Sequence, residues 1–230
     1  MIKDPPLLRI KRNFPRPDAA LMAAFANVPT GHAVDAMGGR GALGYRIKPL
    51  TQVKTVMVGV AVTCDCGPAD NLALFAALAN AQAGDVLVAA TDGFTATSIA
   101  GDLLMGMARN RGVLGLVTDG LVRDLAGIVA VGLPVYCSGL TPNSPARNGP
   151  GSVGLPIVVS GVSIESGDII IADNDGVVVV PQNRAAAVIH SLSEVRSAEG
   201  ILESKVQAGL QVPDFIEAVL VSGRVVEVQA

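Results

Sequence analysis

Short apolar runs alternate with segments of helical spacing along most of the chain, which is the pattern of an α/β fold. From about residue 52, each of four runs predicts a buried strand: VKTVMVGVAVTCDC, GDVLVAATDG, GVLGLVTDG and LPVYCSG. The segments DNLALFAALANAQAG, SIAGDLLMGMARNRG and LVRDLAGIVAVG predict helices. Two later runs, PIVVSGVSI and GDIIIADNDGVVVVP, predict an antiparallel patch near residues 161–181.

The two ends of the chain differ from this alternating region. Prolines at 5, 6, 15 and 17 predict an irregular arm over residues 1–17, followed by short helices near 18–26 and 31–37. A long helix is predicted over about 182–208, then a small C-terminal unit. We therefore expect one domain over 1–230, with 182–230 as a helical extension. The Pro/Gly/Asn-rich segment TPNSPARNGPGSVG is too long for a simple turn.

Composition narrows the function classes. The 230 residues carry a net charge of −3 and are 3% aromatic, so neither a basic face nor stacking aromatics indicate nucleic-acid binding. The start of the sequence lacks the apolar region of a signal peptide, and no apolar run reaches the roughly 18 residues of a membrane span. Three cysteines form no disulfide framework. We expect a soluble cytoplasmic protein without a membrane partner.

One internal echo suggests where a ligand binds. GDVLVAATDG and RGVLGLVTDG share V-L-x-x-x-T-D-G, with Thr91 and Thr118 separated by about one βαβ unit. The two strands are therefore expected to be parallel neighbours whose TDG loops emerge at the same carboxyl edge, where open α/β sheets bind ligands. This places four residues on one rim: Asp92, Gly93, Asp119 and Gly120.

Several common site chemistries are not supported by the sequence. Gly39-x-Gly41-x-x-Gly44 matches a dinucleotide fingerprint, but it follows a predicted helix and precedes an apparent strand, the reverse of the required order. The two histidines, at 32 and 190, are far apart and form no zinc cluster. A metal would therefore be a hard cation on oxygen ligands, and Mg²⁺ needs only one or two carboxylates because it keeps several waters.

The segment TDGLVRDLAG places Arg123 between two aspartates at a predicted helix start, where the helix dipole disfavours a cation. Leu121, Leu125 and Ile128 have the spacing of a core-facing stripe, and Arg123 lies off it. Such charges are often only a solvated salt-bridged turn. The alternative is that Arg123 binds a carboxylate or enolate and Asp124 binds a cation. An Arg123 exposed in a cleft, and not buried in a salt bridge, is the expected geometry.

A second anion receptor is predicted on the preceding helix. If that helix starts near Gly101, the backbone N–H groups of 101–104 are available to a ligand. Together with Arg123 and Asp124, they would form a pocket for a small oxo-acid chelated to a metal. Asp119 is expected to be a structural loop or cap residue.

These motifs resemble the RraA-like family. The similar segments are G-D-L-L at 101–104, R-G-V-x-G-x-V-x-D-G-x-V-R-D at 111–124, and G-x-T-P-x-x-P-x-R-N-G-P-G at 139–151. The closest likeness is to the branch of 4-hydroxy-4-methyl-2-oxoglutarate and 4-carboxy-4-hydroxy-2-oxoadipate aldolases. The resemblance implies a swivelling β/β/α-type fold, trimers sometimes paired into hexamers, Mg²⁺ or Mn²⁺, and retro-aldol cleavage that releases pyruvate. Oxaloacetate decarboxylation is an implied side activity.

The resemblance also implies roles for individual residues. Asp124 matches the metal-binding aspartate, Arg123 the arginine that binds the pyruvyl part, and Gly101, Asp102, Leu103 and Leu104 the substrate-binding helix mouth. Glu199 matches, less closely, a glutamate contributed by a neighbouring subunit. A water polarised by the metal near Asp102 is the expected general base. Phe75 departs from the family, whose members often carry a histidine there.

Two other functions remain open from sequence. Some relatives bind and inhibit a ribonuclease E-type enzyme as non-catalytic regulators. The resemblance implies that these regulators need no intact metal aspartate, whereas this chain has the full D-G-L-V-R-D. An enzyme acting on another oxo-acid is the second. No cofactor motif in the sequence supports a methyltransferase function.

Overall fold

The structure, a computed structural model, describes residues 4–228, and the expected arm over 1–17 therefore lies partly outside it. The chain divides into two compact units, one extending to Leu192 and the other beginning at Ser193. The boundary falls within the long helix predicted over 182–208. Whether the whole chain acts as one domain stays a prediction.

The helices and strands alternate as the apolar pattern predicts. The strands are β1 (Leu8–Ile10), β2 (Lys48–Pro49), β3 (Met57–Asp65), β4 (Asp85–Ala90), β5 (Ser98–Ala100), β6 (Gly115–Thr118), β7 (Leu121–Val122), β8 (Val135–Cys137), β9 (Gly139–Leu140), β10 (Gly151–Val153), β11 (Ile157–Val159), β12 (Val162–Ile164), β13 (Ile169–Ala172) and β14 (Val177–Val180). The α-helices are α1 (Ala19–Ala24), α2 (Thr30–Ala36), α3 (Leu72–Asn80), α4 (Asp102–Asn110), α5 (Leu125–Val131), α6 (Ala185–Gln207) and α7 (Asp214–Leu220).

The main sheet is mixed and has β3 near its centre. Its order is β1-β10-β3-β4-β6-β8-β2, and β13 pairs with both β3 and β14. Strands β3, β4, β6 and β8 are mutually parallel, whereas β13, β14 and the β11–β12 hairpin supply the expected antiparallel patch. The mixed α/β architecture predicted from the sequence is confirmed.

Burial explains why the central strands are almost continuously apolar. One face of the main sheet packs against α3 and α4, with Leu74 and Leu104 in that core. The opposite face is covered by the β11–β12 hairpin, with Ile157 and Ile164 in a second core. Strands buried on both faces need apolar side chains at successive positions, so they lack the polar alternation of half-exposed strands.

A small second sheet repeats the order of the main one. Strands β4, β6 and β8 are each followed, after a short loop, by β5, β7 and β9, which form a parallel three-stranded sheet in the order β5-β7-β9. The sequence did not predict these short strands. They have only two or three residues each, too few for a periodic signal.

Three sequence expectations are therefore wrong in detail. Ser98–Ala100 and Leu121–Val122 are strands, so the helices that follow begin later than predicted. Leu125 does not face the core, since it is 40% exposed, although Leu121 and Ile128 are buried. The arm is not wholly irregular because β1 pairs in parallel with β10.

Within residues 4–228, the structure has no helix with both the length and the apolar character needed to cross a membrane.

Candidate active site

The second sheet explains why GDLL and VRD come together. Strands β5 and β7 are parallel neighbours, with Ala100 aligned to Val122, so the residues that follow each strand leave at the same edge. The backbone N–H of Arg123 donates to the Ala100 carbonyl at 3.0 Å. Gly101 and Arg123 therefore lie side by side although they are distant in sequence.

Asp124 has an unusual backbone for a residue at a helix start. It is the N-cap of α5, but its side chain caps no amide of that helix. Its φ of 60° and ψ of 47° place it in the left-handed region, which costs roughly 1–2 kcal/mol for a residue with a Cβ. An aspartate here would normally stabilise the helix by capping, by about 1 kcal/mol. Both local costs are explained if the carboxylate serves a ligand.

Arg123 is held in place by two polar contacts. Its Nε lies 3.1 Å from Asp124 Oδ2, and its Nη1 donates to Ser144 Oγ at 2.5 Å. The arginine and aspartate side chains are 36% and 40% exposed. Arg123 is therefore partly exposed at a cleft, as expected, but the sequence did not predict its ion pair with Asp124. An exposed pair contributes about 0–1 kcal/mol, and a ligand can therefore replace it at little cost. Arg123 stands immediately before the N-cap of α5, and the Asp124 carboxylate beside it offsets the unfavourable position near the positive end of the helix dipole.

The helix α4 begins at the position expected for an anion receptor, next to Gly101. Gly101 is the N-cap and Asp102 the first helical residue. The amides of a first helical turn have no partner within the helix, but the Leu103 N–H already donates to Asp102 Oδ1 at 2.7 Å. The positive end of the α4 dipole remains directed toward the cavity.

Two glycines make room for the carboxylates. A Cβ at position 101 would lie 2.4 Å from Asp124 Oδ2, and one at position 127 would lie 2.4 Å from Asp102 Oδ2. Neither glycine has a positive φ, so close approach is the reason for glycine at both positions. The Asp102 carboxylate is thus packed against the backbone of Gly127, and the Asp124 carboxylate against the backbone of Gly101.

The start of α4 and the Arg123–Asp124 pair line one cavity of about 440 Å³. Gly101–Leu104, Arg123 and Asp124 form part of its wall, so the structure brings together the residues expected from the two motifs. The remaining wall is formed by Asn71, Leu72, Phe75, Ser98, Ile99, Ala100, Met107, Pro145 and Arg147.

The two TDG loops do not line this cavity, although they meet as predicted. Asp119 is buried and accepts hydrogen bonds from Thr91 N (2.8 Å), Thr91 Oγ1 (2.9 Å) and Gly93 N (3.0 Å). Asp119 therefore ties the loop after β4 to the loop after β6. The cavity lies one short strand further on, at the ends of β5 and β7.

The residues present fit a hard divalent cation. Asp124 presents an exposed carboxylate that no amide of α5 occupies, and Asp102 lines the same cavity. In the described part of the chain no group of three or more His, Cys, Asp or Glu is arranged to hold a metal. Such a cage suits Ca²⁺ or Zn²⁺, whereas Mg²⁺ is bound by one or two carboxylates and keeps waters and substrate oxygens as its other ligands.

Glu199 belongs to the second unit, where it is exposed on α6. Its expected role in a neighbouring subunit stays a prediction.

Sequence reasoning missed three residues of this site: Asn71, Ser144 and Arg147. Arg147 does stand within the motif at 139–151, but no local periodicity shows where a loop of this kind folds back. Asn71 precedes α3, in a position that resembles an ordinary helix cap. Only the tertiary structure brings Ser144 into contact with Arg123 and places Asn71 and Arg147 in the same cavity.

The fold is mixed α/β, and its cavity brings Arg123 and the start of α4 together with the carboxylates of Asp102 and Asp124. A family model described as RraA-like, Aldolase/RraA, matches residues 30–179. The chain belongs to the RraA-like family.

Two kinds of relative are similar to this chain. A protein of Halalkalibacterium halodurans, provisionally named a 4-hydroxy-4-methyl-2-oxoglutarate aldolase, is 38% identical over 165 residues, covering 72% of this chain and 78% of the relative. A crystal structure of Streptomyces coelicolor RraAS2, described as an unusual member of the RNase ES inhibitor RraA protein family, is 29% identical with a TM-score of 0.73, covering 83% of this chain and 100% of that one. An uncharacterised protein of Pseudomonas syringae has a TM-score of 0.76 at 25% identity, covering 86% and 93%.

Proposed function

We propose that the protein is a divalent-metal-dependent aldolase that cleaves 4-hydroxy-4-methyl-2-oxoglutarate, or a related 4-hydroxy-2-oxo diacid, to release pyruvate. The observation that carries the proposal is the placement of Arg123 and Asp124 beside the start of α4 in one cavity. The similarity to a provisionally named aldolase supports it.

Asp124 would hold the cation, Mg²⁺ or Mn²⁺, with Asp102 in the same cavity. When bound, the cation supplies Lewis-acid polarisation of the substrate's 2-oxo group. The αL backbone of Asp124 and the missing side chain at Gly101 fix the carboxylate that binds it. A fixed carboxylate avoids reorganisation when charge develops during the reaction.

Arg123 would bind the pyruvyl carboxylate and stabilise the enolate oxygen. Its guanidinium can exchange the exposed Asp124 contact for a charge-assisted bond to the substrate. The positive end of α4 adds favourable potential on the same side. Both contributions strengthen as negative charge accumulates in the transition state.

A water held by Asp102 would take the proton of the 4-hydroxyl group. The C3–C4 bond then breaks, its electron pair forms the enolate of pyruvate, and C4 becomes a carbonyl carbon. Protonation of the enolate at C3 completes the reaction, which gives two pyruvates from 4-hydroxy-4-methyl-2-oxoglutarate. Loss of CO₂ from oxaloacetate gives the same enolate without a hydroxyl proton to remove, so we propose oxaloacetate decarboxylation as a side activity.

A coupled pyruvate assay tests the proposal. We expect pyruvate from the hydroxy-oxo diacid with Mg²⁺ or Mn²⁺, none with EDTA, and a loss of about 100-fold or more in kcat/KM for Asp124→Asn. Asparagine keeps the αL backbone tolerable, so this variant should fold. Asp35→Asn is the matched control because Asp35 is exposed on α2, outside the cavity. If neither the diacid nor oxaloacetate yields metal-dependent pyruvate, the enzyme function is wrong.

Regulation of a ribonuclease E-type enzyme is the second candidate function. It is supported by the similarity to RraAS2, which is described as a member of an RNase inhibitor family. A pull-down with a purified ribonuclease E-type enzyme, followed by a cleavage assay, tests it. Stoichiometric binding with loss of ribonuclease activity would support this function. Undiminished cleavage at saturating concentration would contradict it.

We also propose that the chain assembles as a trimer or hexamer in which Glu199 of one subunit serves the site of another. Sedimentation analysis tests the assembly. If the role is correct, mixing Glu199→Gln with Asp124→Asn chains should restore part of the activity, since some sites then receive both native residues. A monomer in solution would rule this out.

A further inference from the structure

Arg147 is the second arginine of the cavity, and it is exposed there without a carboxylate partner in the described part of the chain. Arg123 faces Asp124, and Asp102 accepts from the Leu103 amide. Among residues 4–228, no carboxylate lies within ion-pair distance of Arg147. A guanidinium in a cavity without a protein anion is suited to an anionic ligand.

The backbone around Arg147 is anchored on both sides, so its position is built and not that of a free loop. Ala146 exchanges two backbone hydrogen bonds with residues 69 and 71, Ala146 N to Ala69 O at 2.7 Å and Asn71 N to Ala146 O at 3.1 Å. On the other side, the amides of Asn148 and Gly149 donate to Asp70 Oδ2 at 2.5 and 3.1 Å.

Asp70 connects this loop to the helix that carries Phe75. It is 7% exposed, and its Oδ1 accepts from the Leu72 N–H at the start of α3 at 2.8 Å. Phe75, one turn further on, places its ring 5.2 Å from the Arg147 guanidinium carbon. A cation–π contact of this kind orients the guanidinium without neutralising it. Phe75, which departs from the family's frequent histidine, thus supports Arg147.

Asn71 adds a hydrogen-bond acceptor to the same cavity. It is 4% exposed, and its Nδ2 donates to the Ile99 carbonyl at 2.8 Å, which fixes the orientation of the amide. Its Oδ1 is buried and has no hydrogen-bond partner. A buried acceptor of this kind is unfavourable unless a ligand or a water molecule donates to it.

From these observations we infer that the part of the cavity formed by Asn71, Phe75 and Arg147 is a subsite for an α-hydroxy-carboxylate group. Arg147 binds the carboxylate, and Asn71 Oδ1 accepts from the hydroxyl. This inference rests on the proposed function and deepens it. A 4-hydroxy-2-oxo diacid has such a group at the end opposite the 2-oxo acid, so Arg147 selects diacids over monoacids, while Arg123 and Asp124 hold the other end.

Two substrates that differ only in the distal carboxylate test the selection. They are 4-hydroxy-4-methyl-2-oxoglutarate and 4-hydroxy-4-methyl-2-oxopentanoate, in which a methyl group replaces that carboxylate. Arg147→Met should lower kcat/KM for the diacid by about tenfold or more, chiefly through KM, and leave the monoacid within about twofold. Arg147→Lys should retain part of the preference, and Arg40→Met, at an exposed arginine outside the cavity, should retain all of it. An equal loss for both substrates, or no loss for the diacid, would overturn the inference.

A binding measurement separates this inference from the proposed function. Calorimetry without metal should give tighter binding of 2-hydroxypentanedioate than of 4-hydroxypentanoate or unsubstituted pentanedioate. Arg147→Met should remove the preference for 2-hydroxypentanedioate over 4-hydroxypentanoate, which reports the carboxylate. It should leave the preference over pentanedioate, which reports the hydroxyl group. Absence of pyruvate in the assay would refute the aldolase function alone. Absence of detectable 2-hydroxypentanedioate binding to the native protein, or equal affinity for all three acids, would refute the subsite.

Discussion

The backbone of Gly101 lies against the carboxylate of Asp124, so closely that a Cβ at position 101 would be 2.4 Å from Oδ2. Gly101 directly follows β5, and Asp124 is the second residue after β7. Their contact therefore depends on the parallel pairing of those two strands. The glycine of GDLL is therefore explained by the aspartate of VRD.

Gly101→Ala should impair the site without unfolding the protein. Because Gly101 has an extended backbone, alanine is allowed there, but its methyl group would displace Asp124 and Arg123. We expect kcat/KM to fall by roughly 100-fold, as for a misplaced catalytic constellation, while the melting temperature changes little. Gly106→Ala, on the same helix with nothing within 4 Å of its Cβ, is the control and should be active. Equal activity of the two variants would contradict this account of the contact.

Gly127→Ala should act on Asp102 instead of Asp124. The new methyl group would lie 2.4 Å from Asp102 Oδ2 and 2.5 Å from its Cβ, so α4 and α5 must separate or Asp102 must turn away. We expect kcat to fall by about tenfold or more if Asp102 holds the general base, with unchanged Mn²⁺ affinity. Steady-state kinetics and Mn²⁺ titration by electron paramagnetic resonance measure the two quantities. Weaker Mn²⁺ binding without a kcat effect would contradict the assigned roles.

Asp119→Ala should destabilise the fold. The change removes a buried carboxylate and leaves two amides and one hydroxyl, on Thr91 and Gly93, without their acceptor. The expected loss in the free energy of unfolding is about 2–4 kcal/mol, measured by urea denaturation. Asp92→Asn is the control, since Asp92 is exposed and asparagine tolerates its φ of 57°. If Asp119→Ala lowers the free energy of unfolding by no more than Asp92→Asn does, the contacts of Asp119 with the loop are dispensable for stability.

Cys64 should resist thiol reagents in the native protein. Its hydrogen bond with Cys66 and its complete burial raise the pKa of the Cys64 thiol, and burial also raises the pKa of Cys137. Since the thiolate is the reactive form, we expect little labelling at pH 8 over minutes in buffer and labelling of all three cysteines in denaturant. Rapid labelling of Cys64 in the native state would contradict the buried environment.

The alternation of apolar runs was sufficient to predict the fold class, because strands and helices that bury one core carry that pattern locally. The TDG echo likewise predicted that β4 and β6 are parallel neighbours, which the register of Ala89 with Thr118 confirms. The motifs around Gly101 and Arg123 were sufficient to place the family. Each of these signals is carried by short contiguous segments of the sequence.

The position and composition of the cavity depend on contacts that no local pattern records. The strands β5, β7 and β9 are too short to show periodicity, yet their pairing places the cavity beyond the TDG loops and sets Gly101 against Asp124. Arg147 enters the cavity because the buried Asp70 carboxylate binds the amides of Asn148 and Gly149 about 80 residues away in sequence. The sequence by itself determined the longer strands and helices and the residue types near their ends, whereas long-range backbone pairing decided which of those ends meet.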